Sequence, residues 1–389
     1  MGIYLDHAAT TYTDKKVLEQ MIPYFTDTFG NASSLHDFGR KAEAGIGKAR
    51  TQTAKALNAS SGEIYFTSGG TESDNWAIKG TANKFGKGHI ITSSVEHHAV
   101  LHTCESLENE GYSVTYLPVD KFGRVSADDV KKAIREDTIL ISIMFASNEV
   151  GTIMPIKKIG QVARKHKVLF HTDAVQAVGH VPVDVEEMNI DMLSLSAHKF
   201  YGPKGVGALY IKQGTEIEKF MHGGAQEKGM RASTLNTPGI AGLGAAIELA
   251  QNNMADEAKR DAALAAKLKE ALLKLPRVLL NGHPKDRLPG NVNLSFEGIE
   301  AEAMLLHLDL EGIAVSTGSA CSSGSTSPSY VLKEMGLSIE QARAAVRFTI
   351  GRLNTQSEID KVIEITKGIV SRLREISPLF ADKGEKKYV

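Results

Sequence analysis

Between about residues 63 and 172, short apolar or β-branched runs alternate with stretches of helical periodicity, and this alternation constrains the chain more than any other feature. Residues 63–67, 88–92, 113–119, 138–145 and 168–172 read as strands, and residues 72–81, 99–109, 127–134 and 156–166 as helices. Strands that are apolar on both faces need cover on both faces, and the intervening helices supply it. The pattern predicts an α/β fold with a mostly parallel sheet in a large domain of residues 14–255. After about residue 250 the texture changes to a long Ala/Lys/Leu helix over residues 256–275, then strands and helices ending with residues 358–376. Residues 256–389, joined by residues 1–13, are therefore expected to form a smaller α/β domain. A chain of 389 residues is long enough for both.

Composition excludes several functions. The formal net charge is -1 and the Lys and Arg residues are scattered, so there is no electrostatic footprint for nucleic acid or an anionic membrane. No apolar run reaches transmembrane length, and the first residues lack a basic segment followed by an apolar one, which predicts a cytoplasmic protein. The two cysteines, Cys104 and Cys321, cannot build a disulfide framework, so each is either a core residue or a reactive thiol.

In open sheets of this kind ligands collect outside the carboxyl ends of the strands, and the polar clusters of this chain fall there. Lys199 closes the run Asp191-Met-Leu-Ser-Leu-Ser-Ala-His-Lys199. An amine at the end of a buried strand loses water and becomes a better nucleophile, which points to covalent carbonyl chemistry, unless the strand simply ends with Lys199 in solvent. Ser68-Gly-Gly-Thr71-Glu72 sits between a strand and a helix, where paired glycines and a helix N-terminus make an anion cradle or a tight turn. The spacing is neither a dinucleotide fingerprint nor a Walker loop.

His171-Thr-Asp173-Ala-Val-Gln176 places a carboxylate and an amide where one ligand can meet both. A buried aspartate needs a cationic partner such as a protonated pyridine nitrogen; the alternative for Asp173 is a helix cap. In Glu96-His97-His98-Ala-Val-Leu-His102, His98 and His102 lie one helical turn apart, yet no third metal ligand follows at a recognisable spacing. A flat imidazole from His97 stacked on a flat cofactor suits the position better. Gly318-Ser-Ala-Cys321-Ser-Ser-Gly-Ser-Thr-Ser-Pro328 is a small-residue segment in which Cys321 reads as an exposed, reactive thiol, whereas Cys104 lies in an apolar helical pattern and reads as core. Arg347 falls on a strand of the smaller domain, where its guanidinium either forks onto a carboxylate or makes an ordinary ion pair.

Taken in order, these segments resemble the pyridoxal-phosphate enzymes of fold type I, in the class V aminotransferase-like family, and among them the cysteine desulfurases. The resemblance runs from Tyr4-Leu-Asp-His-Ala-Ala-Thr-Thr11 through Gly30-Asn-Ala-Ser-Ser-Leu-His36 and Ser-Ala-His-Lys199 to Gly-Ser-Ala-Cys321 and Arg347-Phe-Thr-Ile-Gly-Arg352. It implies that Lys199 holds pyridoxal 5'-phosphate covalently, that Asp173 pairs with the pyridine nitrogen, and that Gln176 contacts the phenolate oxygen. His97 is implied to stack on the ring and move protons. Gly70, Thr71, Ser196 and His198 are implied to hold the phosphate, with Thr234 reaching it from the other subunit of a homodimer.

The same resemblance gives Asn148 and Arg347 the carboxylate of L-cysteine. It makes Cys321 the thiol that takes the sulfur as a persulfide, leaving L-alanine. The long segment around Cys321 resembles the branch that supplies iron–sulfur cluster assembly and other sulfur acceptors, rather than the selenocysteine-lyase-like branch. A scaffold or other acceptor protein is then the implied partner, and transient ligation of an iron–sulfur cluster by Cys321 the one implied metal role. Ser147, Gln226, Lys228 and Ser233 depart from the commonest family pattern near Asn148 and Thr234. Competing readings are a selenocysteine lyase, another lyase or transaminase on the same fold, a non-catalytic sulfur-assembly scaffold, and a cysteine hydrolase.

Overall fold

The computed structural model describes residues 2–317 and 328–381, so Cys321 and the charged tail lie outside the described residues. Its largest sheet has seven strands in the order Ile64–Thr67, Gly207–Ile211, Met192–Ser196, Leu169–Asp173, Thr138–Ser142, His89–Ser93, Ser113–Leu117. Gly207–Ile211 runs antiparallel to both of its neighbours, and the other pairings are parallel. The sheet is thus the mostly parallel one expected, with one reversed strand that no periodicity announced. The central strands are buried along their whole length, as strands covered by helices on both faces must be.

The predicted helices appear at Gly70–Phe85, His98–Asn109 and Ala127–Ala133 with their ends shifted, and at Ile156–His166 with the expected bounds. One expectation is corrected more substantially. The long helix begins at Thr237, not at residue 256, and runs to Leu272. Asn236 caps it, its Oδ1 accepting from the Gly239 N–H at 3.1 Å. The missed half contains Gly239, Gly242 and Gly244, which disfavour helix locally. They are there for close approach: a Cβ on Gly244 would lie 2.5 Å from Ala49 Cα of the helix Asp37–Leu57. Tertiary packing has overridden propensity.

The long helix joins two cores. Ile240, Leu243 and Ile247 pack into the cluster beneath the large sheet, and Leu264, Leu268 and Leu272 into a second cluster. That second cluster combines Ile3 and Leu5 with Val292, Leu294, Phe348 and Val370, so the chain's two ends share one core. Its antiparallel sheet is Ala345–Thr349, Asn291–Phe296 and Val278–Asn281, beside a parallel pairing of Ile3–Tyr4 with Ile313–Ala314. Val331, Leu332 and Met335, which follow the cysteine segment, pack instead into the first cluster. Cys104 is fully buried in a third cluster with Trp76, and burial pushes its thiol up to about 12, as suits an inert core residue.

Candidate active site

A cavity of about 420 Å³ opens at the carboxyl ends of the parallel strands. Gly70, Thr71, His97, Asn148, Asp173, Gln176, Ser196, His198, Lys199 and Arg347 all line it. Residues scattered over 278 positions, from 70 to 347, therefore converge: the strands of the large sheet deliver their terminal loops to one edge, and Arg347 reaches it from a strand of the smaller sheet.

Lys199 does not end a strand; it closes a short 3-10 turn, Ala197–Lys199, that follows Met192–Ser196. Its Nζ donates to the carbonyls of Ala8 at 2.6 Å and Ala9 at 2.9 Å. Its main-chain carbonyl accepts from His180 Nε2 at 3.0 Å, which fixes the backbone that carries the amine. Burial pulls His180 below its usual range, leaving a neutral ring whose Nε2 carries the hydrogen.

Asp173 ends its strand with Oδ1 accepting from Val175 N at 2.9 Å, which forms a turn and not the cap of a regular helix. Burial raises its carboxyl above the ordinary range, while the neighbouring His97 and Lys199 pull it back. Gln176 donates from Nε2 to Ala8 O at 3.0 Å, so the N-terminal segment braces both the amide and the amine. His97 caps the helix His98–Asn109, its Nδ1 accepting from Ala99 N at 3.1 Å. Behind it the Glu96 carboxyl, buried and pushed up to about 8, accepts from Ser93 Oγ and Met144 N. His98 and His102 stack on each other at 4.8 Å and are flanked by Tyr330.

At the opposite end the N-terminus of the helix Gly70–Phe85 meets Ser196 and His198. A Cβ on Gly70 would lie 2.6 Å from Val175 Cγ2, so glycine suits the place where the turn before this helix crosses the Asp173 turn. His198 bonds Thr10 Oγ1 through Nδ1 at 3.0 Å; burial, then Lys199 and Lys204, hold it down at about 4, so the ring is neutral. Thr234 lies on an exposed segment and does not line this cavity. Three residues before it, Arg231 forks onto Glu72 of the helix Gly70–Phe85 at 2.7 and 3.1 Å.

Arg347 is not a surface ion pair. It is 1% exposed, donates to Asn148 O at 2.9 Å and to Asp6 Oδ1 at 2.8 Å, and leaves Nε without a hydrogen-bond partner among the described residues. Both flanks of the cysteine segment are fastened here. Ser316 pairs with the Arg347 backbone, and Ser329 Oγ donates to the buried Glu149 carboxylate at 2.6 Å. The cavity also holds residues that sequence reasoning missed, namely Ala8, Ala9, Met144, Ala146, Val175 and Asp74. Asp74 had a readable signal, a carboxylate among the apolar positions of a buried helix face; backbone carbonyls such as those of Ala8 and Ala9 have none.

The aminotransferase class-V family model matches residues 3–362. Cysteine desulfurase IscS of Clostridium botulinum (strain Hall) is 56% identical over 98% of this chain and 97% of its own length. The cysteine desulfurase IscS of Methanosarcina thermophila is 55% identical over 97% of this chain and 94% of its own. Among solved structures, a NifS-like protein superposes with a TM-score of 0.90 at 39% identity, covering 97% of this chain and all of the other. The chain belongs to the class-V aminotransferase family, among its cysteine desulfurases.

The cofactor is pyridoxal 5'-phosphate, and the residues present fit it. A restrained amine, a buried carboxylate lacking a full cation, a helix N-terminus at a glycine crossing and a neutral imidazole match its aldehyde, ring nitrogen, phosphate and phosphate edge in turn.

Proposed function

We propose that this cavity carries out the desulfuration of L-cysteine, with Cys321 as the sulfur-accepting thiol. The observation that carries the reading is the arrival of Lys199, Asp173 and Arg347 in one cavity of a chain more than half identical to cysteine desulfurases. When bound, the cofactor supplies an electron sink for the substrate α-carbon. Lys199 carries it and, as a free amine, takes the α-proton. Asp173 keeps the ring nitrogen protonated, and Gln176 steadies the phenolate oxygen. His97 covers the ring face and passes protons, while Thr71, Ser196 and neutral His198 orient the phosphate.

Arg347 and Asn148 hold the substrate carboxylate so that its sulfur faces the thiolate of Cys321. The C–S bond of cysteine breaks as the S–S bond forms, its electron pair stays with the β-carbon, which takes a proton, and Lys199 returns a proton to the α-carbon to give alanine. Incubation with L-cysteine followed by mass spectrometry tests the assignment. One extra sulfur is expected on the Cys321 peptide together with equimolar alanine, and alanine formation without sulfur on that peptide would remove Cys321 from the role.

Arg347→Lys keeps the charge and loses the fork. The KM for L-cysteine is expected to rise about 10- to 100-fold, the range of one charge-assisted hydrogen bond. Steady-state kinetics read it, and an unchanged KM would place the carboxylate elsewhere.

The functional unit is a homodimer. Leu18, Ile22, Phe25, Phe29, Leu35 and Phe38 are all exposed within one short N-terminal stretch, more apolar surface than an isolated chain usually leaves in water. Thr234, exposed here, is then available to a neighbouring subunit's phosphate. Sedimentation velocity is expected to give twice the chain mass, 84 kDa being twice 42.0 kDa. A sulfur-acceptor protein, such as an iron–sulfur scaffold, receives the persulfide sulfur. Among the described residues no helix is long and apolar enough to cross a membrane, in keeping with work in the cytoplasm.

A further inference from the structure

Asp74 stands one turn into the helix Gly70–Phe85, lines the cavity and is 1% exposed. The side-chain donor atoms of Asp74, Asp173 and His97 all lie within 4.8 Å of one another. Two carboxylates thus share one dry corner. Asp173 has a backbone N–H, the nearby His97 ring and Lys199 amine and, when the cofactor is bound, the ring nitrogen. Asp74 has far less. Its Oδ1 lacks a hydrogen-bond partner among the described residues, and the Ser194 hydroxyl is its one side-chain hydrogen-bond neighbour.

The titratable and polar groups beside Asp74 come from two strands of the large sheet and one loop. They are His171 and Asp173 from one strand, Ser194 from the next, and Glu96 and His97 from the loop after His89–Ser93. His171 Nε2 is 3.6 Å away, but burial pulls that ring down to about 3, so it is neutral and offers no charge. It is occupied by Ser142 Oγ at 2.8 Å and Ser194 Oγ at 3.0 Å. Glu96 brings no positive charge, and where it ionises it pushes Asp74 further up.

We infer that Asp74 is a positioning residue kept in its protonated form, so that the buried pair presents the cofactor's ring nitrogen with one negative charge and not two. The inference rests on the cofactor reading above. A second full charge would leave the pair one positive partner short in a site closed to water, and the proton settles on the carboxyl with fewer donors. Protonated, Asp74 donates to Ser194 Oγ, Ser194 donates to His171 Nε2, and the His171 hydrogen stays on Nδ1 facing Ser142. The role is electrostatic: it sets the charge that Asp173 carries.

Burial and the charge of Asp173 raise Asp74 well above its ordinary 3.8. Below that value both folded and unfolded chains are protonated. As pH rises past it the unfolded chain ionises first, so stability falls until the folded-state value is passed. Asp74→Asn mimics the neutral acid and removes that loss. The apoprotein variant is expected to melt higher than wild type at neutral pH, with the two converging in acid.

The closing experiment is infrared spectroscopy of the cofactor-loaded protein, labelled with carbon-13 at aspartate carboxyls, at mildly alkaline pH. A protonated-carboxyl band is expected that moves with the label, so that it does not belong to Glu96 or Glu149. It should shift in heavy water and be lost in Asp74→Asn. Asp74→Ala serves for the assignment should the asparagine variant fail to fold. Absence of the band, or its survival in the variant, overturns the inference. Cofactor absorbance of the same sample separates the two claims: a colourless protein overturns the cofactor reading, and the melting comparison then decides Asp74 alone.

Discussion

Exchange of Lys199 for alanine is expected to lower L-cysteine turnover by about 10³-fold or more, the scale seen when a covalent catalytic group is deleted. The same exchange should end covalent retention of the cofactor. The variant should fold, because Lys199 is only half buried and the two carbonyls it bonds, Ala8 and Ala9, lie at the cavity, where water can replace the amine. Borohydride reduction distinguishes this loss from simple weakening. Wild type is expected to yield a pyridoxyl-modified peptide containing Lys199, and the variant none, even where dialysis leaves some cofactor bound through the phosphate contacts. A modified lysine elsewhere would move the anchor to another residue.

Cys321→Ala is expected to abolish sulfide release from L-cysteine, again by about 10³-fold or more, while leaving the cofactor absorbance at its wild-type position. The two halves of that result follow from the separation of parts. The groups assigned to the cofactor, Lys199, Asp173, Gln176, His97, Thr71, Ser196 and His198, belong to the strand ends of the large sheet. The cysteine arrives on a different stretch of chain. The residues flanking that stretch are held by Arg347 on one side and by Glu149 on the other, next to Asn148, which lines the substrate end of the cavity. Loss of the thiol therefore removes the sulfur acceptor without disturbing ring, phosphate or substrate carboxylate. Undiminished sulfide release would rule out the persulfide route and restore the competing transaminase or lyase readings.

Much of the architecture was legible because its signals are local. The run from residue 191 to 199, the glycine pair at 69–70 and the Asp173–Gln176 spacing are each short, and each lies after an apolar strand, which in a parallel sheet is enough to place it at one edge. The helix Ile156–His166 matched its predicted bounds because its apolar positions repeat cleanly. The first half of the helix Thr237–Leu272 did not, because its glycines answer to Ala49 and Met21 across the interface and not to helix propensity. The reversed strand Gly207–Ile211 was equally hidden, since apolar patterning carries no information on direction.

The sequence by itself determined the inventory: an amine, two imidazoles, a carboxylate with an amide three residues on, a glycine turn before a helix, a thiol among small residues, and their order along a βα alternation. Those are properties of covalent chemistry and near neighbours, so they can be read without coordinates. Only the tertiary structure decided which of them meet and in what charge state. It buried Arg347 against Asp6, 341 residues away, at the wall of the cavity. It also set Asp74 beside Asp173. Burial and the distance between charges exist only once the chain has closed on itself, and those two quantities fix the ionisation of every group in this site.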